Sequence, residues 1–218
     1  MGTALPGMTC HGEILEARQR FVLRKLGEEL SDKGWYLAGG TGLALYLGHR
    51  KSVDFHWFNS NRLQPENLAQ ELRSTSLSVE IQGVGKGTLH AVIEGVQVSF
   101  FEYTYPLLDE PVRCHEVGVD LASFEDLACM KLSAVAQRGS RKDLVDVWAV
   151  LQRLNMRDVL RLYKRKFGVR DAGPVLYAVT YFGDAERDEM PEMLWEADWE
   201  QMKADLQRRV REVWNVEI

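Results

Sequence analysis

The spacing of apolar positions changes period partway along the chain, and that change divides it into two stretches. From Glu13 to Leu30, apolar Leu15, Val22, Leu26 and Leu30 recur near helical spacing with Glu and Arg between them, which predicts an amphipathic helix laid on a core. Ser31-Asp32-Lys33-Gly34 breaks it. A short apolar run, Trp35 to Ala38, enters the glycine pair Gly39-Gly40. An apolar helix-like stretch follows from Thr41 to Leu47, and after Gly48-His49-Arg50 a second apolar run, Val53 to Phe58, reads as a strand. Pro65 fits the first turn of a helix carrying Leu68 and Leu72. Ser76 to Gln82 alternates as a strand does, and Gly83 to Gly87 reads as a loop. Thr88 to Ile93 then pairs with Val96 to Tyr103 across Glu94-Gly95, a hairpin signal, and a short extended piece runs from Glu116 to Val119.

From Ser123 the pattern is helical. Ser123-Phe124-Glu125-Asp126 and Ser140-Arg141-Lys142-Asp143 both read as capping boxes, with Arg138-Gly139 ending the helix between them. Further helices are expected over Met156 to Phe167, Asp171 to Tyr181 and Trp199 to Val213. The fold class is therefore α+β: an α+β domain over residues 1–121 and a helical C-terminal region over 122–218 packed against it. Residues 1–10 read as a loose leader.

Composition narrows the class. Hydrophobic residues make up 45% and charged ones 27%, with 6 Pro in 218 residues, which fits a globular protein rather than a disordered one. The formal charge of -5 supplies no global attraction to nucleic acid, so such binding would need a local patch. One candidate patch lies between Arg138 and Arg170, with ten Arg or Lys against three Asp; Arg157, Arg161 and Lys164, with Arg165 beside them, share a helix face. From Asp184 to Glu200 eight acids face Arg187 alone, so the patch reads either as an RNA track or as a face neutralised by this acidic stretch. Cys10, Cys114 and Cys129 have no metal-knuckle spacing, and no disulfide framework is expected. No apolar run approaches a membrane span, and no basic, apolar leader is present; the expected location is the cytoplasm.

The order strand, glycine pair, helix puts Gly39, Gly40 and Thr41 at a helix N-terminus, where free amides and the helix dipole favour an anion such as a phosphate. The other reading of the glycines is a tight turn that needs a positive φ. Asp54 lies on the next strand with His56 two residues on, so both side chains share a sheet face. His56 reads as a hydrogen-bonded strand-end histidine or as a metal ligand. His49 and Arg50 read either as phosphate contacts or as residues that hold the turn.

Gly39-Gly40-Thr41, Leu47-Gly48-His49-Arg50 and Ser52-Val53-Asp54-Phe55 together resemble the AbiEii/AbiGii-type nucleotidyltransferase-like proteins, a toxin-like branch of the polymerase-beta-like nucleotidyltransferases. A second resemblance runs from Met130 to Leu151, where a Lys-containing helix is followed by an Arg-Gly turn and an apolar-Asp-apolar helix. The resemblance implies a nucleotidyltransferase-like mixed sheet with flanking helices. It also implies metal-dependent transfer of a nucleotidyl group from an NTP to an RNA, such as tRNA, or to a protein acceptor. Magnesium, or manganese, would be the cofactor, and a cognate antitoxin a partner. By the same resemblance Asp54, Lys131 and Asp146 are the catalytic residues. Gly39, Gly40, Thr41, Arg50, Lys131, Arg138 and Lys142 would contact the nucleotide, and Asp54, His56 and Glu102 would hold metal.

The family's strand motif is Asp-Phe-Asp, whereas this chain has Asp54-Phe55-His56. Magnesium takes hard oxygen ligands, and an imidazole suits zinc, manganese, nickel or copper better. The third acid would come from the Val96 to Tyr103 strand, whose only carboxylate is Glu102, with Ser99 at a position where relatives can carry one. The alternative function is therefore a catalytically degraded nucleotide-binding protein or a toxin–antitoxin partner. For the second motif the other reading is structural: Asp143 caps a helix, Lys131 and Arg138 lie on a solvated face, and Asp146 is partly buried and paired with Lys131 or Lys142.

Overall fold

The structure, a computed structural model, describes residues 10–30 and 32–217, the side chains of 215–217 excepted. Contacts divide the chain into two units. The first runs up to Gly48 and adds Ser52–Pro106 and Glu110–Ala122; the second comprises His49–Lys51, Leu107–Asp109 and the chain from Ser123 onward.

The first unit is a seven-stranded mixed sheet with three helices. Its elements are α1 (Ala17–Leu30), β1 (Tyr36–Ala38), α2 (Gly39–Leu47), β2 (Phe55–Asn59), α3 (Pro65–Arg73), β3 (Val79–Gly85), β4 (Thr88–Ile93), β5 (Val96–Glu102), β6 (Val112–Cys114) and β7 (Val119–Leu121). The strand order is β3-β4-β5-β2-β1-β7-β6. β2 runs parallel to β5 and β1 parallel to β7, and the remaining pairs are antiparallel.

Strand alternation decides which residues face the core. Phe55 and Trp57 of β2, Val98 and Phe100 of β5, and Leu89, Ala91 and Ile93 of β4 are buried in one cluster with Val22, Leu23 and Leu26 of α1 and Leu68 and Leu72 of α3. Trp35 meets Phe100 edge to face at 5.4 Å. The residues between them, His56, Phe58, Ser99 and Phe101, lie on the opposite sheet face and are half-buried.

Three elements depart from the expected pattern. β3 continues through Gly85, where a loop was expected from Gly83, because a register shift between Ile81 and Gly83 lets Gly83, Val84 and Gly85 go on pairing with β4. β6 is an edge strand with two of its three residues exposed, so it has no apolar alternation to announce it. The extended piece from Glu116 is largely the turn between β6 and β7, closed by Gly118 N donating to Cys114 O at 2.8 Å.

The expectation of no disulfide is corrected: Cys10 is bonded to Cys114, with Cα atoms 5.9 Å apart and a sequence separation of 104. A cross-link closing a loop of that length stabilises by about 4–5 kcal/mol in the chain-entropy account. Cys129 is free and buried. Residues 1–9 of the expected leader lie outside the described residues.

The second unit is helical: α4 (Phe124–Arg138), α5 (Arg141–Val150), α6 (Met156–Phe167), α7 (Gly173–Thr180) and α8 (Trp199–Glu217). Ser123 caps α4 by accepting from Asp126 N at 3.0 Å, and Asn155 caps α6 by accepting from Asp158 N at 2.9 Å. Leu107–Asp109 joins this unit through the Asp126 carboxylate, which accepts from Leu108 N and from the buried Lys166 ammonium at 2.6 Å. On α6, Met156, Val159 and Leu160 are buried while Arg157 and Arg161 stay exposed. Among the described residues no helix is long and apolar enough to cross a membrane.

Candidate functional site

In the first unit three of the expected residues come together around His56. Gly39, at the start of α2, has φ +69, and a Cβ built on it would stand 2.9 Å from His56 Nδ1. Glycine is needed there both for its backbone angle and for the space the imidazole occupies. The other ring nitrogen, Nε2, lies 3.3 Å from Asp54 Oδ2, and the two side chains are 27% and 31% exposed. Carboxylate, imidazole and glycine turn thus share one solvent-reached corner of the open sheet face.

Thr41 supports that corner from below. Its buried hydroxyl donates to the Asp54 carbonyl oxygen at 2.5 Å and shares a hydrogen bond with Ser52 Oγ at 2.8 Å. The Thr41 hydroxyl therefore fixes the entry to β2, and the backbone amides of this helix start are what a phosphate would meet.

Register extends the corner across the sheet. His56 of β2 pairs with Ser99 of β5, and Ser99 pairs with His90 of β4, so the three lie in one row on one face. His90 Nδ1 is 2.8 Å from Ser99 Oγ. The Phe101 ring stands between the two histidines, edge to face with His56 at 5.6 Å and with His90 at 5.8 Å, and stacks on Phe58 at 5.2 Å.

Glu102 is not part of this row. It pairs with Asn59, which puts it on the opposite face from His56, and its carboxylate accepts from Leu63 N at 3.0 Å. The expected set Asp54, His56 and Glu102 therefore does not assemble, and among the described residues no group of three His, Cys, Asp or Glu side chains is placed to hold a metal ion. The donors that do meet are one carboxylate and one imidazole beside a serine hydroxyl. That set does not fit a magnesium pair, which needs several hard oxygen ligands.

In the second unit the remaining candidates form a closed charge cluster. Asp146, fully buried, is held by four donors: His49 Nε2 at 2.7 Å, Arg50 Nε at 2.7 Å, Arg50 Nη2 at 2.8 Å and Lys131 Nζ at 2.6 Å. Asp143, also fully buried, accepts from Lys131 Nζ at 3.0 Å, from Arg138 Nε at 2.6 Å and from Ser140 Oγ at 2.6 Å. Burial alone would push both carboxyls up. The Lys131 ammonium and the neighbouring guanidiniums outweigh it, holding Asp143 at about 2 and Asp146 well below the usual carboxylate range. Burial lowers His49 despite Asp146; its Nε2 meets Asp146, and its Nδ1 is buried without a hydrogen-bond partner among the described residues.

In place of the solvated face open to Lys131, Arg50 and Lys131 are each about 95% enclosed, and both are engaged by the buried Asp146. Arg138 keeps half of its side chain exposed but is bound in a fork to Asp143, and Lys142 is exposed on α5. Ser140 does not cap α5, because its hydroxyl turns to the Asp143 carboxylate. His49 was read as a turn or phosphate residue; its burial against Asp146 could not be seen locally, since 97 residues separate the partners.

The acidic stretch pairs with Arg141, Lys203 and Lys51, through Glu186 and Glu192. On the α6 row, Arg161 pairs with Asp158 of its own helix. Trp195 meets His49 edge to face, and Trp199 lies under the Arg141 guanidinium at 4.9 Å, so both tryptophans pack against the protein.

A protein-family model described as the nucleotidyl transferase AbiEii toxin of a type IV TA system matches residues 98–217. The chain belongs to this family. The matched segment begins in β5, downstream of Asp54 and His56, so membership rests on the C-terminal half rather than on the glycine corner. An uncharacterised protein of Aquifex aeolicus is 35% identical over 201 residues, covering 91% of this chain and 97% of that protein. Among solved structures, a protein of H. pylori described as a nucleotidyltransferase aligns with a TM-score of 0.56 at 17% identity, over 92% of this chain and 96% of that one. MenT4, a nucleotidyltransferase toxin of Mycobacterium tuberculosis, aligns with a TM-score of 0.55 at 15% identity, over 92% and 86%. At such identities these two structures show a nucleotidyltransferase-like fold.

Proposed function

We propose that this chain binds a nucleoside triphosphate at the Gly39–His56–Asp54 corner and transfers its nucleotidyl group to a hydroxyl of an RNA or protein acceptor. The observation that carries the reading is the meeting of the glycine turn and the Asp54 carboxylate on the two sides of one imidazole, in a member of a nucleotidyl transferase toxin family. The phosphates would meet the amide end of α2 at Gly39 and Gly40, with His56 donating to a phosphate oxygen. Asp54 would take the proton of the acceptor hydroxyl as its oxygen attacks the α-phosphorus, the bond to the bridging β-phosphate oxygen breaks, and pyrophosphate leaves. A cognate antitoxin is the partner that fits the family, and the cytoplasm the compartment. The test is transfer of label from α-labelled NTPs to RNA or protein acceptors by the purified chain. Labelling is expected, with Asp54→Ala reducing it at least a hundredfold while the fold is kept.

A second reading is favoured by His56 and Ser99, paired across β2 and β5 at positions where the family resemblance implies acids: a protein that keeps nucleotide binding and has lost transfer. It predicts saturable NTP binding with no labelling of any acceptor.

A further inference from the structure

We infer that nucleotide binding at this corner does not require a divalent cation, because the row beside Asp54 carries two imidazoles and a hydroxyl and no further carboxylate. This rests on the nucleotide reading above but holds whether or not transfer follows. A triphosphate brings several negative charges, and set against two or three carboxylates it would be repelled unless a cation neutralised the site. Here the row across β2, β5 and β4 is His56, Ser99 and His90, and Asp54 is the carboxylate that touches it.

The nearby acids do not restore the missing charge. Glu102 faces the other side of the sheet and is bound to Leu63 N. Glu80 shares the open face, but it lies on edge strand β3, three strands from β2. The Asp54 carboxylate is itself met by the His56 ring at 3.3 Å, which places a hydrogen-bond donor where a second carboxylate would otherwise repel the phosphates. Ser99 and His90 are already hydrogen-bonded to each other, so the row itself presents hydrogen-bonding groups and no carboxylate to an anion.

Binding of ATP, GTP, CTP and UTP to the purified full chain, measured by calorimetry in excess EDTA and again in millimolar magnesium chloride, tests the inference. The expected result is an affinity for the preferred nucleotide that differs less than about threefold between the two conditions, with no heat from magnesium chloride alone. His56→Asp should weaken binding in EDTA at least tenfold and make it recover on adding magnesium. Ser99→Asp, a change on a half-buried position of the same row, should act in the same direction if His56→Asp does not fold. Wild-type binding seen only with magnesium would overturn the inference and leave the nucleotide reading standing. No binding of any nucleotide in either condition would overturn both.

Discussion

Asp143 and Asp146 are fully buried carboxylates held by cations. Both carboxylates are matched by the nearly enclosed Lys131, and Asp143 also by the half-exposed Arg138, so removing Lys131 leaves unpaired charge in a place water does not reach. The pH dependence follows from the directions of the shifts. Asp143 titrates at about 2 in the folded chain against an ordinary 3.8, so the unfolded chain takes up the proton first as pH falls. Its contribution is complete above about pH 5, worth about 2 kcal/mol, and is lost as pH drops through 2. Asp146 acts in the same sense. His49, held below 6.5, also protonates more readily when unfolded, so it too removes stability as pH falls below that value. Urea unfolding from pH 7 to pH 3 should therefore show steadily falling stability. Asp143→Asn should be less stable than the parent by at least about 2 kcal/mol at pH 7, with that deficit shrinking by roughly half at pH 3. A deficit that stays constant over this range would show that the charged carboxylate is not what the cluster uses.

At the scale of elements, periodicity was informative wherever an element has one buried face. The α6 helix and the β4–β5 hairpin follow from spacing alone, whereas Asp54, expected within the strand, lies just before β2 and meets His56 across 3.3 Å. What spacing does not carry is approach between distant segments, and the misses share that cause. Edge strand β6 is visible only through its pairing with β7, and the Asp146 cluster joins residues 49 and 50 to 131 and 146. The orientation of Glu102 depends on the β2–β5 register, which the sequence does not state. Gly27 belongs to the same class. Within α1 it looks like a helix-weakening residue that alanine would improve by about 1 kcal/mol. A Cβ there would lie 2.3 Å from the Gly118 carbonyl oxygen, which is backbone and cannot turn aside. Gly27→Ala should therefore destabilise by about 1–3 kcal/mol, read as a lowered urea midpoint at unchanged slope. A gain in stability would mean that α1 does not sit this close to the turn before β7.

For the molecule as a whole, the two units divide the candidate residues by exposure. The first keeps Asp54, His56 and the Gly39 turn on an open, aromatic-bearing sheet face, and the second encloses Arg50, Lys131, Asp143 and Asp146. The family resemblance was legible in two motifs: the first lies at the exposed corner, while in the second Lys131, Asp143 and Asp146 pair with one another in the interior and Arg138 and Lys142 reach the surface. With a formal charge of -5 and the basic residues of α6 partly paired, the chain has no global attraction for a polyanion, so recognition must come from a defined site. The most direct measurement is an NMR titration of the chain with its preferred NTP, following the His56 imidazole and the Gly39 and Gly40 amides. The account predicts that these three signals shift together and saturate at the dissociation constant found by calorimetry. Saturation of the protein with nucleotide while those signals stay still, and others move, would contradict it.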